Sequence, residues 1–414
     1  MSGRRPARAE ILDAVRRRCQ ELEVDAYLAY TPSNVFYTSG FQSFFLSEWW
    51  RMLGTVMLLV PADPAQEPAF IISDFEAEQA RRVSAIDDVR SFRVWVELRN
   101  ASDLQAGGGS PEPPRPAQYD ESEQDHILRD VLSDRGLLQA RIGTDLRYIL
   151  HDTVSRLSRL APQAQLVDMT EDLYHLRSVK HDFEIEALRR ATELSEAGMV
   201  FASSEPRLGM TALDVRRRYA LGVMEKAMTS DRYAGYSDHW VLPAVGAGTQ
   251  IGVDSERGTG LRPGDLIKFD CGVTFSGYRS DGGRTFSYQE IRPAARRLYA
   301  VLQEAHEQAR AQIRPGAPIK SVFEAAQSHI HLNGYPQFNR GHYGHSVGID
   351  TFHEEPPYLS STESRPFEPG MVFAVETPAY SADTGAVMIE DLVLVTDDGH
   401  EVLHQLSHDL TVVG

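Results

Sequence analysis

The stretch Phe269 to Phe286, FDCGVTFSGYRSDGGRTF, constrains this chain more than any other. It sets Asp270 and Asp281 eleven positions apart across a predicted β-hairpin, and the rest of the chain reads as completing or shielding what they bind. Three further metal-competent side chains follow: His345 in GHYGHSVGID, Glu376 in GMVFAVETP and Glu390 in AVMIEDLVLVTDDG. A lone Asp in a turn is ordinarily a solvated surface group. Glu376 and Glu390 differ, because each interrupts an otherwise apolar strand, where an unpaired carboxylate would be costly to bury.

An oxygen-rich set with one imidazole suits Mn, Co, Fe or Zn, and bridging carboxylates hold two such ions roughly 3.5 to 4 Å apart. Four carboxylates balance the charge of two divalent ions, which leaves a bridging water as the species most acidified by the field. The set therefore predicts two divalent ions, with Mn, Co, Fe and Zn all suited to it, and attack of a bridging hydroxide on an unreactive carbonyl or amidine carbon.

Composition narrows the field. At 414 residues, two domains are expected. A net charge of −17 argues against a sequence-independent grip on nucleic acid, and no apolar run approaches the length of a membrane span. Cys19 and Cys271 lie far apart, and Arg4, Arg5 and Arg8 are not followed by the apolar core of a secretory signal; both features predict a reducing cytoplasm. Alternation along a strand points Cys271 away from Asp270, as a buried structural thiol.

Along the chain, AEILDAVRRRCQEL is an amphipathic helix, VDAYLAY a strand, TPSN a turn, and VMLLV and AFIISD further strands. Residues 101–120 are Gly-, Pro- and Ser-rich and predict a mobile surface loop. Alternating helices and strands then complete an α/β domain over 1–174. From Leu176, LRSVKHDFEIEALRRATELSEAGMVFA predicts one long helix opening a second domain, 175–414, of α+β type: an antiparallel sheet backed by helices.

GDLIKFDCG, YRSDGGRTF, GHSVGIDTFHEEP, GMVFAVETP and IEDLVLV resemble the successive signatures of the methionine aminopeptidase, prolidase, aminopeptidase P and creatinase superfamily, the pita-bread fold. LRSVKHDFEIEALRRA resembles the helix that opens that fold in two-domain members. The resemblance implies that Asp270, Asp281, His345, Glu376 and Glu390 ligate the two ions, with Asp281 and Glu390 bridging. It further implies that Glu376 takes the proton of the attacking water and that His353 hydrogen-bonds the substrate or its tetrahedral intermediate. His342 is a candidate substrate contact.

Two departures bear on substrate. No histidine lies between Gly246 and Gly260, where peptidases of this type usually carry one facing the substrate, and Met388 stands where many proline-specific members have Arg. In the N-terminal domain, SNVFYTSGFQSFFLSEWWRMLGTVML resembles the creatinase segment that reaches the neighbouring subunit's active site, which makes Arg51 a candidate for a substrate carboxylate and Trp49 for a cationic or N-alkylated group. Creatinase itself has lost the ligand set that this chain keeps. The combined expectation is a cytoplasmic homodimeric metallohydrolase acting on a C–N bond in a short peptide or small carboxylate-bearing molecule, prolidase- or aminopeptidase P-like. The alternatives are a non-peptide amide or amidine hydrolase of creatinase or ectoine-hydrolase type, a metal-dependent lyase, or a non-catalytic binding module.

Overall fold

A computed structural model describes residues 4–48, 55–84, 86–105, 113–247, 260–350 and 354–414. The chain divides into two compact units, Met1–Arg177 and Ser178–Gly414.

The first unit is built on six strands, β1 (Ala26–Ala29), β2 (Met57–Pro61), β3 (Ala69–Ser73), β4 (Asp88–Phe92), β5 (Arg141–Thr144) and β6 (Gln165–Asp168), in spatial order β4-β3-β2-β1-β5-β6. The β3–β4, β1–β5 and β5–β6 pairs are parallel, as helical crossovers require, while β1–β2 and β2–β3 are antiparallel. β1, β2 and β3 are buried along their whole length, which explains their unbroken apolar sequence. Buried Asp145 ties the start of the following helix, Pro32–Ser39, to β1: its carboxylate accepts from Tyr27 Oη, from the Tyr30 and Thr31 amides and from Asn34 Nδ2. TPSN is therefore a helix start rather than a turn, with Thr31 as its cap and Pro32 in the first turn, where a missing N–H costs nothing.

The described ends of the Gly- and Pro-rich stretch make defined contacts. Ala101–Gln105 is a short helix, Tyr119 bridges to Val94, and Arg115 donates to the Val94 and Val96 carbonyls while pairing with Asp74 and Glu97. One guanidinium satisfies four acceptors, compensating for the scarcity of apolar residues. Residues 106–112 lie outside the described residues.

The helix predicted to open the second domain is two. Thr170–Ser178 stops, Val179 bridges to Met371 and the Lys180 amide donates to Gly370, and a new helix runs over Asp182–Ser203. A strand-like tertiary contact has overridden the helical period.

The strands that follow are β7 (Tyr236–Val241), β8 (Ala244–Val245), β9 (Leu266–Lys268), β10 (Cys271–Phe275), β11 (Tyr278–Arg279), β12 (Thr285–Tyr288), β13 (His342–Ser346), β14 (Glu355–Ser360), β15 (Val372–Glu376), β16 (Ala379–Ser381), β17 (Gly385–Val387), β18 (Glu390–Val395), β19 (His400–Val402) and β20 (Thr411–Val413). Among the described residues they form sheets ordered β11-β10-β7, β20-β12-β9-β8 and β14-β13-β15-β18-β19, with a β16–β17 ribbon. Helices Pro293–Arg310 and Lys320–Leu332 pack Leu298, Leu302 and Val322 against Phe373, Val375, Val393 and Val395. Each such side chain contributes about 1.5–3 kcal/mol on burial. Alternation then assigns the faces: Phe373 and Val375 point to the helices, so Ala374 and Glu376 point away.

Candidate metal centre

Three junctions deliver the polar residues. The first is the hairpin of β10 and β11, where Thr274 opposes Arg279, Phe275 opposes Tyr278, and the ladder continues to a Cys271–Gly282 bridge. This register makes Asp270 and Asp281 diagonal neighbours on one face, and sends the Cys271 thiol to the other, towards Ser195 Oγ at 3.5 Å. Burial pushes that thiol up to about 12.

The second junction joins hairpin to sheet. Gly283 and Glu390 exchange backbone hydrogen bonds, 3.2 Å and 3.0 Å, which brings Asp281 beside the first residue of β18. A side chain at 283 would meet Met388 Cγ at 2.3 Å and the Phe269 carbonyl at 2.6 Å, so only glycine allows this approach. Across β15 and β18, Glu376 directly opposes Glu390.

The third junction is β13. Tyr343 is buried in the helix-packed core, and strict alternation would send His345 there as well. Instead, Gly344 adopts φ 134° and the pairing with β14 shifts register between His342 and His345. The irregularity re-aims His345, which opposes Ala374 on the Glu376 side of β15. It also explains why two histidines on that side are three residues apart rather than two: His342 Nδ1 lies 3.5 Å from Glu376 Oε1.

The outcome is a buried cluster. Ligand atoms of Asp281, His345 and Glu390 all lie within 4.8 Å of one another. His345 Nδ1 stands 3.0 Å from the Ser346 carbonyl, which fixes the proton there and leaves Nε2 facing Asp281 Oδ2 at 3.5 Å. Burial lowers the imidazole to about 4, so it is a neutral donor at physiological pH. Burial, followed by the like charges of Asp270 and Glu376, pushes the Asp281 carboxyl well above the usual range; burial, Asp281 and Glu376 do the same to Glu390. Burial also raises Glu376 against the opposing pull of Arg340 and His342.

These groups fit a divalent cation. Glu390 Oε2 is buried with no hydrogen-bond partner among the described residues, and carboxylates that raise one another's pKa relax once a positive charge sits between them. Asp270 and Glu376 lie beside the triad, and each is engaged by a cation that sequence reasoning missed. Lys268 Nζ is 2.7 Å from Asp270 Oδ2, and Arg340 Nη2 is 2.9 Å from Glu376 Oε1. Lys268 had a visible signal, a charged residue ending an apolar strand two positions before Asp270. Tyr380 and Tyr358, both partly exposed, flank Lys268 and His342. Trp49, Arg51 and His353 lie outside the described residues, as does most of the histidine-free segment, 248–259. The chain on either side of 351–353 is held by Glu355, whose Oε1 accepts from the Ile349 and Asp350 amides at 2.7 and 2.9 Å.

Residues 186–397 match the model of metallopeptidase family M24, and residues 11–179 match the creatinase/prolidase N-terminal domain. The chain belongs to metallopeptidase family M24. It is a metal-dependent hydrolase with a creatinase-like N-terminal domain and a pita-bread C-terminal domain. A Bacillus subtilis relative with a provisional dipeptidase name is 26% identical over 394 residues, 94% of this chain and 95% of that protein. An uncharacterized peptidase of Staphylococcus aureus is 30% identical over 261 residues, 61% of this chain and 71% of that one. Among solved structures, an Xaa-Pro dipeptidase from Bacillus anthracis superposes with TM-score 0.78 at 19% identity, over 98% of this chain and 100% of that one. The prolidase of Pyrococcus horikoshii gives TM-score 0.77 at 20% identity, over 97% and 99%. At such identities the likeness shows the fold of this M24 protein. Among the described residues, no helix is long and apolar enough to cross a membrane.

Proposed function

We propose that this M24 protein hydrolyses a C–N bond in a dipeptide or similarly small carboxylate-bearing substrate, in the manner of prolidase and aminopeptidase P. The observation that carries the reading is the closure of buried Asp281, His345 and Glu390 to within 4.8 Å, flanked by Asp270 and Glu376. Those five residues would hold two divalent ions, manganese first among the candidates, which polarise the scissile carbonyl and acidify the attacking water. Glu376 receives the water's proton: its Oε1 is held by Arg340 and faces His342, which leaves Oε2 for the reaction. His353 donates to the developing oxyanion and His342 contacts the substrate, while Arg51 and Trp49 serve the substrate of a neighbouring subunit in a homodimer. The dipeptidase name of the Bacillus subtilis relative and the Xaa-Pro dipeptidase fold likeness support a short peptide as substrate.

A second reading, a non-peptide amide or amidine hydrolase, draws on Met388. It is buried against Gly283, so the position offers a peptide no charge. The test is a panel of Xaa-Pro and other dipeptides beside N-acyl amino acids and guanidino acids, assayed with the Mn-loaded protein by liquid chromatography and mass spectrometry. Cleavage of dipeptides in wild type, lost in Asp281→Asn, supports the peptidase reading. Cleavage confined to the non-peptide compounds replaces it with the second, and a product lacking the added water replaces hydrolysis with elimination.

A further inference from the structure

The hairpin that carries Asp270 and Asp281 presents a further polar row on the same face. Thr274 of β10 stands between Asp238 of β7 and Arg279 of β11, and one step nearer the metal centre the same register sets Gly272 between Trp240 and Asp281. Alternation puts Arg279 on the Asp281 face, roughly 6–7 Å along the chain from it, while Cys271 meets Ser195 on the opposite face. The backbone fixes Arg279 there, since its amide donates to the Gly348 carbonyl at 2.8 Å. Two groups of this row are unsatisfied. Thr274 is 7% exposed, and its hydroxyl has no hydrogen-bond partner among the described residues. Arg279 Nε is buried without one as well, and no carboxylate among the described residues forms an ion pair with the guanidinium. Burial lowers the guanidinium against the pull of Asp238 and Asp281. A buried hydroxyl and a half-buried cation, opposite one another and both unpaired, are costly unless an anion completes them.

We propose that Arg279 and Thr274 form a subsite for a side-chain carboxylate of the substrate, which makes this hydrolase selective for an Asp or Glu residue at the bond it cleaves. The inference rests on the proposed hydrolysis of a short peptide. That substrate already carries one carboxylate, for which Arg51 is the candidate, and a further cation on the metal face calls for a further anion. An acidic side chain beside the scissile bond spans the one strand step that separates Arg279 from Asp281. The guanidinium fork takes a carboxylate through parallel N–H donors, and the Thr274 hydroxyl adds another; an Asn or Gln amide offers a single acceptor and no charge.

The test uses the full-length, Mn-loaded protein and uncleavable dipeptide analogues in which a methyleneamino unit replaces the amide: Ala-Asp and Asp-Ala, each beside its Asn counterpart, titrated by isothermal calorimetry. One acid analogue should bind wild type ~10-fold or more tightly than its Asn counterpart, and Arg279→Gln should erase that difference. Thr274→Val should melt no lower than wild type, since its hydroxyl has no partner to lose, and should narrow the difference ~3-fold or more. Equal binding of acid and amide analogues to wild type would overturn the proposal, and so would a preference that survives in Arg279→Gln. If Arg279→Gln fails to fold, an undiminished preference in Thr274→Val overturns it instead. The cleavable dipeptides are assayed in parallel. Cleavage with equal binding of acid and amide removes the subsite alone; a preference for the acid analogues with no dipeptide cleaved removes the peptidase reading and leaves the acid subsite standing.

Discussion

Replacing Asp391 by Asn tests the polar layer that sits behind the metal centre. Asp391 is fully buried and accepts from Arg284 Nη2 at 2.6 Å, His306 Nε2 at 2.9 Å and His408 Nε2 at 2.7 Å. Asparagine keeps the shape, but whichever way its amide turns, the NH2 faces a group that is already a donor. Arg284, 2% exposed, loses its counter-charge at the same time. Removing one partner of a buried pair costs about 3–5 kcal/mol. At about 2–4 °C per kcal/mol for a unit of 150–250 residues, the melting temperature of Ser178–Gly414 should fall by roughly 6–20 °C. Scanning calorimetry in chelator measures this without masking by bound ions. Because the orphaned guanidinium carries much of the penalty, Arg284→Met added to Asp391→Asn should recover part of the loss, by at least about 1 kcal/mol relative to additivity. A single variant melting within about 2 °C of wild type, or strictly additive singles, would refute the argument.

Asp281→Asn removes one of several buried like charges, so the metal-free variant should melt at or above wild type, while the gain on adding Mn2+, about 2.7 kcal/mol at a hundredfold excess over the dissociation constant, should largely vanish. An equal Mn2+ gain in both proteins would sink the assignment of Asp281 as a ligand. Gly283→Ala must push against the Phe269 carbonyl, which cannot yield as a side chain can; a loss of about 1–3 kcal/mol by thermal melting is expected, and wild-type stability would contradict it. Burial pushes the Cys19 thiol up to about 12, so its stability contribution is complete below the unfolded thiol's pKa and is lost as pH rises from there through about 12. Neither Cys19 nor Cys271, both buried, should react with a disulfide reagent at pH 8 until the protein is unfolded; rapid native labelling would refute this.

The sequence was most legible where burial and charge conflict. A Glu inside MVFAVETP or MIEDLVLV demands a reason, and the structure places both carboxylates opposite one another at the Gly283 junction. The hairpin and the Cys271 thiol on the face away from Asp270 follow from period-two alternation alone. Arg340 was not legible: five residues before His345 in a loop-like NRGHYGH run, it looks solvated until folding sets it against Glu376. The break at Val179–His181 was hidden too, because Met371 and Gly370, which draw the backbone out of the helix, are about 190 positions away along the chain. Arg115 was masked by the low apolar content around it, which says little about hydrogen bonds.

Among the described residues, two clusters bring His and Asp or Glu close enough to hold an ion: the buried Asp281, His345 and Glu390, and also His306, Asp391 and the partly exposed His408. Charge separates them. Glu390 and Asp391 are consecutive on β18, so alternation turns them to opposite faces of the sheet and into opposite environments. Glu390 meets Asp281 and Glu376 and is driven up; burial would raise Asp391 too, but Arg284 and the hydrogen bonds from His306 and His408 outweigh it and hold its carboxyl well below the usual range. Asp391 therefore already has its cation, built into the chain, and a metal there would have to displace a guanidinium 2.6 Å away. Glu390 has none. The Arg284 guanidinium that satisfies one face also serves the other, since its Nη1 donates to the Glu390 carbonyl at 2.7 Å and the Gly283 carbonyl at 2.8 Å. Neutralising the helix-side carboxylate is thus mechanically coupled to holding Gly283 against Glu390, the contact that brings Asp281 within reach of Glu390. Loosening Arg284 should accordingly weaken metal binding at a centre that Arg284 never touches with its charge.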